Sequence, residues 1–209
     1  MSENRNQDAL TKSGLLGVFG PFIALVGIII AIALSPWFTW DGNALSDLGR
    51  YATAIPAAVV FNTGLVTTGV IMLYFLFWFI RRFGDRITKF GMIPLGVALV
   101  FLILIGILSE DFGYSHFVVS VGFFACFPFT MWVVGFGFLR YSNLRWFSLV
   151  SIVLPFFCLF MWVGWYGDLF PFWTGNAIPE ITTALSAIGW MWIMWLLYYS
   201  KKLDHLLAK

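Results

Sequence analysis

The chain has 209 residues, 61% hydrophobic and only 11% charged, with a mean hydropathy of +0.91 and a formal net charge of +2. A water-soluble domain carries about 25% charged residues, so a chain this poor in charge lacks a surface for water and is expected to be an integral membrane protein. The sequence also has no Walker loop, dinucleotide fingerprint, nucleophile elbow, paired-cysteine motif or haem-ligating histidine pair, which excludes the chemistries that those motifs carry.

Six apolar runs follow one another, at about 15–38, 54–80, 92–109, 116–139, 146–167 and 181–199. Each is near or above the ~20 residues that a helix needs to cross ~30 Å of hydrocarbon. A span must satisfy its own backbone hydrogen bonds, so the runs are expected to be helices. The predicted fold is an all-α, six-transmembrane-helix bundle, with residues 1–209 forming a single integral membrane domain. The first run has no small-residue cleavage site after it and is read as an uncleaved helix, not a signal peptide. Cys126 and Cys158 lie inside apolar runs and are expected to be core residues with no disulfide between them.

Charge sets the expected orientation. With the N-terminus inside, eleven of the twelve Lys and Arg residues fall in inner segments and only Arg50 falls outside. Short loops count fully in the positive-inside rule, so both termini are expected to be cytoplasmic, in the cell membrane. Asp41, Asp47, Glu110, Asp111, Asp168 and Glu180 then collect at the outer face, where chemistry beyond lipid contact is expected. The inner basic residues are explained by topology, and no nucleic-acid partner is expected.

Pro128 and Pro155 fall in mid-span in the fourth and fifth runs. Such prolines kink a helix and free a carbonyl. Paired kinks would open a cavity between these two helices; a packing irregularity without a cavity is the simpler reading.

Four polar stretches would converge on the outer face of a compact bundle. The first is Ser46-Asp47 with Arg50, where Ser46 would cap a turn into the second helix and Asp47 would face the helix dipole. The second is Asn62, about 12 Å down the second helix, where a buried amide needs a partner. It bonds to another helix or walls a polar pocket. The third runs from Ser109 to His116. Here Ser115 would cap the fourth helix, and Glu110 would pair with Arg50 or His116. Two carboxylates and an imidazole would alternatively serve acid–base chemistry or a mixed metal site of Asp47, Glu110 and His116, although three-histidine zinc is excluded. The fourth is the last outer loop, 168–180, with Trp173 and Glu180, long enough to fold over the outer face.

Three short motifs recur together: S-D-L-G at Ser46–Gly49, F-N-x-G-L at Phe61–Leu65, and G-I-x-x-E at Gly106–Glu110, followed by His116. Their order and spacing resemble the prokaryotic domain-of-unknown-function 998 family, six-helix membrane proteins common in archaea and bacteria, over nearly the whole chain. In that family the third motif usually reads G-I-F-P-E; here Leu108-Ser109 stand in its middle. The resemblance implies a six-helix fold and ties Ser46, Asp47, Asn62 and Glu110 into one constellation. It supplies no reaction.

The sequence thus points to an outward-facing polar pocket lined by Ser46, Asp47, Arg50, Asn62, Glu110 and His116, with Trp173 and Glu180 above. It would bind a lipid headgroup or small polar ligand. Arg50 is the natural anion contact, and the acids would position it or receive a cationic group. A lipid-modifying enzyme at the same place, with Asp47 or Glu110 as base and His116 as acid or metal ligand, is the alternative. A small transporter and an accessory subunit of a larger membrane complex remain open. Membrane lipid is the expected partner, with a membrane-protein partner or a homo-oligomer as further options. No cofactor and no definite metal are indicated.

Overall fold

The structure, a computed structural model, describes residues 12–208. Among these residues seven α-helices follow in chain order: α1 (Lys12–Ala33), α2 (Ile55–Ile80), α3 (Arg86–Gly91), α4 (Ile93–Ile107), α5 (Tyr114–Phe138), α6 (Arg145–Tyr166) and α7 (Ala177–Tyr199). Short 3-10 turns punctuate them at Ser46–Gly49, Glu110–Phe112, Ser142–Leu144 and Asp204–Leu206. Among the described residues there is no strand, only one isolated antiparallel bridge between Phe83 and Leu207. Among the described residues six helical segments are long and apolar enough to cross a membrane, and α3 with α4 forms the third of them, Arg86–Ile107. This is the fold of a multi-pass membrane protein.

The helix boundaries differ from the apolar runs at three places, each with a local cause. α1 stops at Ala33, short of the expected 38, because Pro36 disfavours helical geometry in the residue before it. The third span starts earlier than residue 92, because Asp85 caps α3 by accepting from the Thr88 amide at 2.8 Å. It then breaks at Met92, just ahead of Pro94 in the first turn of α4. α7 starts at Ala177 and not at 181, which carries Glu180 into its first helical turn.

The two ends of the bundle differ in charge. One gathers the acids Asp41, Asp47, Glu110, Asp111 and Asp168, and is called the acidic end. The basic end gathers Arg81, Arg82, Arg86, Lys89, Arg140, Arg145, Lys201 and Lys202. Helices α1 and α2 approach closely enough that a Cβ on Gly27 would lie 3.6 Å from the Gly64 Cα. Small residues permit such contact where no hydrophobic drive separates helix from lipid. The core of the basic half is aromatic: Phe75, Phe79, Phe83, Phe138, Phe147, Trp190 and Tyr198 are all fully buried. Phe79 stacks on Phe75 at 5.3 Å and meets Phe83 and Tyr198 edge-on at 5.0 and 5.5 Å.

Indole N–H groups cross-link the helices. Trp132 donates to the Ile152 carbonyl at 3.1 Å, Trp162 to Thr183 Oγ1 at 3.0 Å, Trp190 to Ser151 Oγ at 2.8 Å and Trp192 to the Val18 carbonyl at 3.1 Å. In hydrocarbon an indole without an acceptor is costly, so each bond also fixes a helix rotation. Cys126 and Cys158 are free thiols, as expected.

Candidate functional site

The first connection at the acidic end does not stay at the surface. After α1 the chain turns back into the mouth of the bundle, and Leu45, Leu48 and Gly49 are buried there. Non-helical backbone at such depth is tolerated only where protein groups satisfy it. Two polar side chains do so for the Ser46–Gly49 turn. Glu180 Oε2 accepts from the Leu45 amide at 2.6 Å, and Asn62 Nδ2 donates to the Gly49 carbonyl at 2.8 Å. Both side chains are buried. Asn62 is the eighth residue of α2, so about 10 Å along it, and it meets a loop, not a second helix. A side chain at Gly49 would strike Asn62 Oδ1, which explains the glycine of S-D-L-G.

Asp47 folds the approach to this turn. Its Oδ2 accepts from the Ala44 amide at 2.9 Å and from Asn43 Nδ2 at 3.0 Å. Ser46 makes no capping bond, so the expected Ser46 cap on the second helix is absent; α2 instead begins with Pro56 in its first turn. The 168–180 loop docks on the same connection through backbone bonds. Thr174 and Gly175 amides donate to the Asp41 carbonyl, both at 2.8 Å, and Ala177 to Asn43 at 2.9 Å. Trp173 lies to the side, against the Phe170 ring at 4.7 Å.

The Glu110–Phe112 turn forms a second cluster. His116 is buried inside α5, with Nδ1 donating to the Leu108 carbonyl at 2.7 Å and Nε2 lying 3.2 Å from Glu110 Oε2 without an aligned hydrogen bond. Glu110 therefore pairs with His116, as one of its two expected partners. Arg50 faces Asp111 instead, with Nε 4.0 Å from its Oδ1. Ser115 lies within α5, whose N-cap is Gly113, so the expected Ser115 cap is also absent. Asp111 accepts from the Tyr51 amide at 2.7 Å, the Ala52 amide at 3.2 Å and Ser109 Oγ at 2.9 Å. Desolvation pushes its carboxyl up, but the Tyr51 and Ala52 amides, the Ser109 hydroxyl and the Arg50 charge outweigh it and hold it below the ordinary carboxylate range. Among the described residues no three His, Cys, Asp or Glu side chains come together to hold a metal ion, so Asp47, Glu110 and His116 do not form the mixed site considered above.

Beneath the turn lies a cavity of about 130 Å³. Its walls are apolar side chains of α1, α2, α4, α5 and α7, among them Ile28, Leu65, Leu99, Phe123 and Ala187. Ser46 and Glu180 border it at the acidic end. Of the other expected pocket residues, Asp47, Arg50, Asn62, Glu110, His116 and Trp173 line neither this cavity nor its neighbour. That neighbour, a second cavity of about 390 Å³, lies between α5 and α6, with Pro128, Phe129, Trp132 and Trp162 in its wall. Pro128 thus borders a cavity between these helices, whereas Pro155 is in the wall of neither space. Glu180, Ser120 and Phe124 border both spaces. Ser120 was missed from sequence; its only signal is a lone hydroxyl in an apolar run.

A family profile described as "Protein of unknown function (DUF998)" matches residues 18–198. The match takes in all three motifs that build the roof and its supports. The chain belongs to the DUF998 family. No curated protein and no solved structure matches it. In this DUF998 protein the S-D-L-G motif is the roof turn, the asparagine of F-N-x-G-L holds that turn's carbonyl, and the glutamate of G-I-x-x-E meets the following histidine. Gly106 of the third motif is required by packing, since a Cβ there would press on the Asn62 carbonyl at 2.6 Å.

Proposed function

We propose that this DUF998 protein binds an amphiphile, holding its apolar part in the central cavity and its polar end beneath the Ser46–Gly49 roof. The observation that carries the reading is the apolar cavity of about 130 Å³ bordered at one end by Ser46 and Glu180. A void walled by hydrocarbon side chains excludes water and accepts an apolar guest, and a polar rim at one end fixes which way that guest points. The reading places the acidic end at the outer face of the cell membrane, with the basic end and both termini in the cytoplasm, on the strength of the Lys and Arg distribution. Membrane lipid is then both solvent and ligand source. The polar cluster around Asp47, Asn62, Glu110 and His116 supports the roof from above and behind, and does not itself contact the guest.

The test fills the cavity. Ala184→Leu adds three carbons to a residue that lines it. Lipid that co-purifies with the wild-type chain and survives detergent exchange, counted by native mass spectrometry, should be lost from the variant. Filling an apolar void removes its destabilising term, so the variant's melting temperature should hold or rise. Equal lipid retention in both proteins rejects the reading.

A further inference from the structure

We propose that the amphiphile's headgroup carries a protonated primary amine, received by Glu180. The inference rests on the cavity reading above and names the ligand's polar end. Glu180 is 6% exposed, yet it borders both the central cavity and the space between α5 and α6. Among the described residues it is the one ionisable side chain in either wall. Among the described residues no Lys, Arg or His pairs with it. Asp47 and Glu110 are near enough to act on it electrostatically, and both add negative charge. Arg50, the single cation among the acidic-end loops, is turned to Asp111 and lies in neither wall. An anionic headgroup would therefore meet carboxyls and no cation. A protonated amine brings the missing positive charge and up to three N–H donors.

Depth also suits such a headgroup. Glu180 is the fourth residue of α7, about 5 Å from its start, where an amine remains near the interface while its chain reaches the apolar walls. The space between α5 and α6 supplies a route from the bilayer. Its wall includes Phe117, Val121 and Phe129, each about half exposed on the lipid-facing side of the bundle. Along it, Asn176 and Ser120 are the polar groups on the way to Glu180.

The experiment compares probes of one chain length. The full chain in phosphatidylcholine nanodiscs is titrated with dodecylamine, dodecanol and dodecanoate, and with butylamine, which carries the amine on a short chain. Bound probe is counted by native mass spectrometry. The expected order places dodecylamine about tenfold or more ahead of dodecanol, as a charge-assisted hydrogen bond would, with dodecanoate and butylamine weaker than both. Glu180→Gln keeps an acceptor for the Leu45 amide and should retain dodecanol binding, while its amine preference falls to about twofold or less. Equal wild-type binding of amine and alcohol overturns the inference without any variant, as does an amine preference that survives Glu180→Gln. If butylamine matches dodecylamine, the site takes free amines and the chain is irrelevant, which also overturns it. Failure of the cavity reading is separate: dodecanol binding would then be unchanged by Ala184→Leu.

Discussion

Gly175 is where the last acidic-end loop touches the first. A Cβ on it would fall on the Asn43 backbone, so only glycine lets the 174–177 segment reach the carbonyls of Asp41 and Asn43. Overpacking a fixed backbone contact costs about 1–3 kcal/mol. Gly175→Ala should lower the melting temperature accordingly, whereas Gly189→Ala, with nothing within 4 Å, should leave it unchanged or raise it slightly. Differential scanning fluorimetry on the pair separates the steric effect from the loss of a glycine.

At the other end, Asp85 accepts from Thr88 Oγ1 at 2.6 Å and from Arg140 at 2.5 Å. Desolvation raises its pKa, but the two Thr88 bonds and Arg140 outweigh it and hold the carboxyl below its ordinary 3.8. The folded state thus binds this proton less readily than the unfolded chain. Its contribution to stability is complete above about 3.8 and is lost as pH falls through the lower folded value. Asp85→Asn should therefore melt earlier than wild type at neutral pH, with the gap closing as the buffer is taken below pH 3.8. A gap that stays constant across that range would show that ionisation is not what the residue contributes.

Among the elements, α6 and α7 end alike. In α7 the Lys202 amide reaches back to the Leu197 carbonyl at 3.0 Å and the Lys201 amide to Tyr198 at 3.1 Å. In α6, Leu169 bonds Gly164 at 2.9 Å and Asp168 bonds Trp165 at 3.3 Å. These are Schellman closures, and the left-handed position is filled by Lys201 (φ 64°) in one and Asp168 (φ 53°) in the other. Aspartate tolerates that conformation better than lysine. Lys201→Gly should raise stability by about 0.5–1 kcal/mol, read as a shift of the thermal midpoint with the spans unchanged.

The six spans were legible in the sequence because each is a long apolar run, and hydropathy reports that directly. Their ends were less so. Nothing in the composition of 177–180 distinguishes a first helical turn from a loop. The backbone bonds from 174–177 to residues 41 and 43 are what fix it, and those partners lie more than a hundred residues away. The same non-locality hid two partners of Asp111, the Tyr51 and Ala52 amides on another loop. Asn62 was singled out as a polar group at depth and is buried there, while Ser46 and Asp47, expected at the outer face, sit half-buried in the hydrogen-bonded roof. The apolar space is below it, made by side chains that read as ordinary core.

On the scale of the whole molecule, the basic end is tied by its own tail. The Leu206 carbonyl accepts from the Gly84 amide at 2.7 Å and the Asp85 amide at 3.1 Å, and the Ala208 amide donates to the Arg82 carbonyl at 2.8 Å. Leu203 and Leu206 are buried against the aromatic core. Asn143 Nδ2 holds the Lys202 carbonyl at 3.1 Å, and His205 packs on the Tyr141 ring at 4.4 Å. The tail thereby joins two separate connections of the basic end. Leu206→Ala should cost about 2–5 kcal/mol, the usual range for a buried leucine, and should make the 203–208 segment a preferred site for limited proteolysis.

That tie also sets an order of events during synthesis. Residues 203–208 leave the ribosome only after all six spans, so Gly84 and Asp85 must wait with their amides turned to water while the later helices insert. Closure of the basic end therefore follows synthesis of all six spans, and a fluorophore attached beside Ala208 would report completion of the bundle, not its beginning.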